Sequence, residues 1–242
     1  RIKSMNLSGY KVAITGGSGG IGSALINGLT EAGASVYNLD RAPSSNNEIE
    51  FIEVDLTKEE SVKSAFSNIL KLDALVVCAG IQLVGKDSKI AEVALETWQQ
   101  TIDVNMTGAF LSVKYAMPAL INSGHGSVIL IGSPTGMTME GAGYTAYGAS
   151  KAGMMGLSRI IAVDYKEHGI RSNVVVPGTM STPLIKKIAE DPEKGPDLIR
   201  RTPLGRMGDP KDLIGIVNWL VSTQSSFATG ASYAVDGGMT AR

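Results

Sequence analysis

The chain has 242 residues, enough for one large α/β domain with a full core and short for two. Its 22 basic and 23 acidic residues nearly cancel, which argues against nucleic acid or an anionic membrane as partner. The hydrophobic fraction is 43%, no apolar run approaches bilayer length, and the single cysteine, Cys78, excludes an intrachain disulfide.

Met5 reads as a natural start, with residues 1–6 as a disordered lead ahead of one domain. The first expected strand is Lys11–Thr15, followed by Ser35–Leu39, Ile49–Val54, Ala74–Cys78, Ser127–Ile131, Ser172–Val176 and Ser232–Val235. Leu-Val-Val-Cys at 75–78 and Val-Ile-Leu-Ile at 128–131 lack a two-residue alternation. Strands apolar on both sides belong to a sheet covered on both faces, usually a parallel one. Helices are expected over 21–32, 59–70, 97–122, 147–167 and 210–222, the second opened by a capping box of Thr57 and Glu60. The alternation predicts an α/β, doubly wound Rossmann fold: a single seven-stranded parallel sheet with helices on both faces. The least regular stretch, 179–205, holds four of the nine prolines and is expected to be a lid over a site.

The first strand runs into Thr15-Gly16-Gly17-Ser18-Gly19-Gly20-Ile21-Gly22. Such a turn brings backbone N–H groups and a helix N-terminus against a pyrophosphate, although glycines alone also suit a plain flexible turn. Asp40 ends the second strand about 20 residues later, where a ribose diol would sit. Further on, Tyr147 and Lys151 stand four apart on one helix face. A phenol is a weak acid-base group at neutral pH, and a fixed ammonium beside it favours the phenolate.

Taken together in this order, these motifs resemble the short-chain dehydrogenase/reductase family, in its single-domain form, from about Leu7 onward. Tyr147-Gly148-Ala149-Ser150-Lys151 is similar to its Tyr-x-x-x-Lys, and Thr15–Gly22 to its Thr-Gly-x-x-x-Gly-x-Gly. The resemblance implies that Tyr147 exchanges the proton and that Lys151 lowers its pKa and holds the nicotinamide ribose. Ser133 would bind the substrate oxygen, and Asn105 would hold a relay water. For the cofactor it implies Gly16, Ser18, Gly20, Ile21 and Gly22 at the pyrophosphate and Asp40 and Arg41 at the adenosine ribose. Asp55 and Leu56 would lie beside the adenine, Ala79 and Gly80 beside the ribose, and Pro177, Gly178 and Thr182 at the nicotinamide amide.

Two positions depart from the family pattern: Val77-Cys78-Ala79-Gly80 replaces Asn-Asn-Ala-Gly, and the Ser133–Tyr147 interval is one residue longer. The first is expected to cause a structural adjustment, the second to reshape the substrate wall. Glu140, Tyr144 and Met180 are candidate substrate contacts. His125 and His168 read as helix-end residues, and two histidines with one cysteine offer no zinc spacing, so no metal is expected.

The implied function is hydride transfer between a nicotinamide cofactor and the secondary alcohol or ketone of a small polyol, sugar acid or hydroxy acid. NAD is favoured because the Asp40 carboxylate would repel a 2′-phosphate; Arg41 keeps NADP possible. The weighed alternatives are an NADPH-dependent 3-oxoacyl carrier-protein reductase, a non-catalytic dinucleotide-binding regulator and a glycine-rich-loop methyltransferase. The segment 121–126 carries no formal positive charge for an acidic carrier protein. The resemblance further implies a homotetramer, with helices 97–122 and 147–167 at one interface and the C-terminal strand at another; the single free thiol and the lack of a long apolar run lead us to expect a cytoplasmic protein.

Overall fold

A computed structural model describes residues 5–43, 49–138, 142–183, 185, 189–190, 192 and 194–241. Next to the middle of its sheet runs β5 (Ser127–Ile131), buried at every position, as an apolar run without alternation requires. Around it stand β1 (Lys11–Thr15), β2 (Ser35–Asp40), β3 (Glu50–Glu53), β4 (Ala74–Val77), β6 (Arg171–Pro177) and β7 (Ser232–Val235). They form one sheet in the order β3-β2-β1-β4-β5-β6-β7, with every pair parallel. The order reverses between β1 and β4, which opens a crevice at the carboxyl ends of these strands.

The two-residue period sorts each strand between two cores. Val12, Ile14, Val76 and Ile129 pack with α1 (Gly20–Glu31) and with the helix near the C-terminus, Ile214–Val221. Ala13, Leu75, Val77, Val128 and Leu130 face the other side. There they meet α2 (Glu59–Phe66), α4 (Gly108–Ile121) and α5 (Thr145–Asp164). Each large side chain removed from water in these layers contributes about 1.5–3 kcal/mol.

Three expectations change. The helix expected over 97–122 is split into α3 (Leu95–Ile102) and α4 by a π-helical turn, Asp103–Thr107, in which Gly108 N–H bonds Asp103 five residues back. The Thr57–Glu60 capping box does not form. Asp55 accepts from both the Thr57 hydroxyl (2.6 Å) and its N–H (3.1 Å), so α2 starts at Glu59 without a side-chain cap. A capping box does occur at Asp209–Asp212, where it starts a 3-10 turn leading into Ile214–Val221.

The stretch 179–205 is less irregular than expected. It contains α6 (Lys194–Arg200), whose proline, Pro196, lies in the first turn, where its missing N–H costs little. Asp197 adds ion pairs to Arg200 and Arg201. Ile214–Val221 is therefore α7. Bonds from Ser181 N–H to Gly208 O (2.8 Å) and from Gly208 N–H to Thr179 O (2.9 Å) tie the start of this stretch to the body.

Candidate active site

The turn after β1 works by close approach. Gly16 has φ +71°, and a Cβ there would lie 2.6 Å from the Ala79 Cα. Any side chain would separate the first turn from the strand end beside it. The turn delivers the chain to α1, whose N-cap, Gly19, makes no side-chain capping bond and whose first turn carries no acid. The first amides of α1 are left facing the crevice, an arrangement that suits a pyrophosphate.

Asp40 closes β2 beside this turn. Its Oδ2 accepts from Ser18 N–H (3.0 Å) and its Oδ1 from Arg41 N–H (2.6 Å) and Ala42 N–H (3.4 Å). Acceptor capacity therefore remains mainly on Oδ2. The Ser18 hydroxyl is engaged too, donating to Ala42 O (2.6 Å) and accepting from Asn38 (3.0 Å). One groove is bordered by Gly16, Ser18, the start of α1 and the Asp40–Arg41 pair, and then by Asp55-Leu56 and Ala79-Gly80. Thr57 and Lys58 hold the Asp55 carboxyl below its usual range, the Thr57 hydroxyl most strongly. An open helix start, a carboxylate at the next strand end and a long groove between them fit a dinucleotide.

The groove passes Ile21, Gly80 and Thr182 into a second cleft, which Ser133, Tyr147 and Lys151 border. Pro177 and Gly178 at the end of β6 line it, as do Tyr144 and Met180. Glu140 lies outside the described residues. Ser133 follows β5 and stands beside the Tyr147 phenol, where it favours the charged form. Lys151, one helical turn beyond Tyr147, is buried and donates from Nζ to Ile131 O (2.8 Å).

The electrostatics differ from the expectation that Lys151 lowers the tyrosine's pKa. Burial pushes the Tyr147 phenol above its ordinary value, and Ser133 pulls the other way. The Lys151 ammonium, 5.8 Å from the phenol ring centre, turns to the carbonyl of Ile131. Burial also lowers Lys151 to about 8, so its charge is itself less secure. Burial raises the adjacent Cys78 thiol to about 12, keeping it neutral.

Asn105 sits in the π-helical turn, fully buried. Its Oδ1 accepts from Ile81 N–H (2.8 Å), and its Nδ2 donates to Ile81 O (3.0 Å) and to the Ser150 hydroxyl (3.0 Å). Ser150 in turn donates to Tyr147 O (2.7 Å). Asn105 thus clamps the loop after β4 where Cys78 cannot. The Cys78 N–H instead extends the ladder to Thr15 O (3.1 Å). A Cβ on Gly80 would lie 3.3 Å from Lys151 Nζ and 3.4 Å from Asn105 Oδ1, so these groups converge on that glycine.

Sequence reasoning passed over Gln82 and Arg201, which also border the second cleft. Both stand in loops without periodicity. His125 lies next to Asp73, Nε2 to Oδ1 3.5 Å, and stacks on Tyr10. Among the described residues no three His, Cys, Asp or Glu side chains gather as a metal site, and no helix is long and apolar enough to cross a membrane.

A doubly wound sheet with a dinucleotide groove running into a serine–tyrosine–lysine cleft defines a nicotinamide-dependent oxidoreductase acting on CH–OH groups. Comparison with known proteins agrees. Residues 16–240 match a family described as "Enoyl-(Acyl carrier protein) reductase". A 2,5-dichloro-2,5-cyclohexadiene-1,4-diol dehydrogenase of Sphingobium indicum is 35% identical over 98% of this chain and 99% of its own. The aldohexose dehydrogenase of Thermoplasma acidophilum superposes with a TM-score of 0.89 at 32% identity, covering 98% of this chain and 96% of its own. A gluconate 5-dehydrogenase from Burkholderia cenocepacia, solved with NADP and tartrate, gives 0.90 at 28% identity, covering 99% and 98%. The chain belongs to the short-chain dehydrogenase/reductase family.

Proposed function

We propose that the protein oxidises a secondary alcohol, or reduces the matching ketone, of a small polyol, sugar acid or hydroxy acid, with NAD preferred over NADP. The observation that carries this reading is a cleft lined together by Ser133, Tyr147 and Lys151 and continuous with the groove that Asp40 borders.

The bound cofactor supplies or accepts the hydride. Tyr147 exchanges the proton on the substrate oxygen, giving it in reduction and taking it in oxidation. Ser133, lining the same cleft as the phenol, holds the same oxygen as charge develops there. Lys151 sustains a positive potential under the phenol and binds the nicotinamide ribose. Asn105 fixes the loop beside Lys151 and holds a water on the proton path. The residues that would hold the cofactor are Gly16, Ser18, Gly20, Ile21 and Gly22 at the pyrophosphate, and Asp40 and Arg41 at the adenosine ribose. Asp55 and Leu56 would flank the adenine, Ala79, Gly80 and Lys151 the inner ribose, and Pro177, Gly178 and Thr182 the nicotinamide.

Substrate enters under the stretch 179–205, which serves as a lid. Among the described lining residues Lys151 and Arg201 are cationic and none is acidic, an arrangement that suits a substrate carboxylate able to take the place of Asp197 at Arg201. Exposed Phe110 on α4 and Ile160 and Val163 on α5 support a homotetramer through these helices; a monomer in sedimentation at micromolar concentration would contradict it.

The test is kcat/KM with NAD and with NADP over a panel of neutral polyols and their carboxylated counterparts, for wild type and Asp40→Ala. Wild type should favour NAD by at least about tenfold, ~1.4 kcal/mol of discrimination, and the variant should lose most of that preference. A wild-type preference for NADP would remove Asp40 from its role.

A further inference from the structure

Helix α5 carries Tyr147 two residues after its first residue, Thr145, yet its own N-cap, Tyr144, makes no side-chain capping bond. The first amides of a helix lack intrahelical partners and need an acceptor from elsewhere. The acceptor is Asp87, about 60 residues upstream in the loop after β4. Its Oδ1 accepts from Ala146 N–H (3.1 Å) and its Oδ2 from Tyr147 N–H (2.9 Å). Asp87 is 8% exposed, so this carboxylate has given up most of its hydration to hold two helix amides.

The grip falls on the tyrosine residue itself. With the Tyr147 N–H fixed by Asp87, and its carbonyl accepting from Ser150, the backbone that aims the phenol at Ser133 is held on both sides. Asp87 is anchored in turn, since its own N–H donates to Leu83 O (2.9 Å) and its Oδ1 also accepts from Ser88 N–H (3.0 Å). Leu83 borders the cofactor groove, and Ile81, two residues before it, is the one clamped by Asn105. The loop after β4 therefore spans from the groove to the start of the catalytic helix.

We infer that Asp87 is a positioning residue that sets the Tyr147 phenol against Ser133 by capping α5 from outside the helix. The inference rests on the reading of Tyr147 as the proton-exchanging group. An ordinary cap would add stability alone; this one also fixes the reacting oxygen, and misplacement by about 1 Å can cost a hundredfold in rate.

The experiment measures kcat with the best-used alcohol of the panel and NADH affinity by fluorescence titration, for Asp87→Ala, Asp87→Asn and Tyr147→Phe. Asp87→Ala should lower kcat roughly 10–100-fold and change NADH affinity less than about threefold. Asp87→Asn keeps one acceptor oxygen, so it should recover at least about fivefold over alanine. If the alanine variant does not fold, the asparagine variant carries the test by the same split: reduced kcat with NADH affinity kept. An alanine variant within about twofold of wild-type kcat overturns the inference, and so does a parallel loss of kcat and NADH affinity without rescue by asparagine. Should Tyr147→Phe stay active, the acid-base reading fails first; an inactive Tyr147→Phe beside a fully active Asp87→Ala sinks the positioning role alone.

Discussion

The second cleft has two walls of opposite physical character. On one side Ser133 and Lys151, with Asn105 and Ser150 behind them, are buried, and each has a polar atom bonded to a neighbouring backbone or side-chain group. On the other, within 179–205, Asp197 binds Arg200 and Arg201 at the surface, and all three side chains keep contact with solvent. Buried, mutually satisfied groups hold a geometry, whereas solvated ion pairs exchange partners cheaply. The first wall suits a fixed reaction and the second suits a choice among substrates.

The largest test of this division is Tyr147→Phe. Removing one oxygen from the rigid wall should lower kcat at least about a hundredfold and leave NADH affinity nearly unchanged, as read by steady-state kinetics and fluorescence titration. More than about a tenth of wild-type activity would place the proton exchange elsewhere.

Lys151→Met should separate rigidity from stability within the same wall. It should lose turnover by at least about tenfold. The fold, however, should gain. Burial depresses Lys151 from 10.5 to about 8, so between those values the unfolded chain holds the proton that the folded chain has released. Wild-type stability therefore rises with pH across that window. Below about pH 8 the full penalty of the buried charge is present, at most about 3 kcal/mol. Losing the bond to Ile131 O takes back about 1 kcal/mol. The variant should melt higher than wild type at pH 7, and its advantage should vanish toward pH 10.5. A lower Tm at pH 7 would mean that the lysine is a net structural support.

Arg201→Ala, on the solvated wall, should have the smallest effect and a selective one. KM for a carboxylated alcohol such as gluconate should rise about five- to tenfold, the scale of one partly exposed charged hydrogen bond. KM for a neutral polyol, and kcat for both, should stay within about twofold. Equal changes for charged and neutral alcohols would erase the proposed distinction between the walls.

The rigid wall was also the more legible in sequence. Strands such as Val128–Ile131 announce themselves because both faces are apolar, and Tyr147 and Lys151 share a face at helical spacing. Ser133 and Asn105 emerge only when the motifs are taken in order. Asp87 carries no local mark, since an acid in a loop looks solvated until the fold brings α5 to it. The π-helical turn is invisible for another reason: it changes which carbonyl an amide bonds, without changing composition. The failed capping box at Thr57 shows short-range competition, because Asp55, two residues away, takes the hydroxyl first. Helix α6 was hidden by Gly195 and Pro196, which disfavour a helix interior but are tolerated in a first turn.

The π-helical turn has a consequence for how this chain tolerates insertions and deletions. A π turn is an α-helix with one residue too many, and each residue advances a helix by about 100°. Deleting one residue between Asp103 and Thr107 would let α3 and α4 fuse into a single regular rod. Backbone bonding would improve, but one of the two halves would rotate relative to the sheet. Asn105 could then no longer face Ile81 and Ser150 while α4 kept its apolar side on the core. The surplus residue acts as a phase shifter, so a length change that looks conservative in an alignment would uncouple the helix from the cleft.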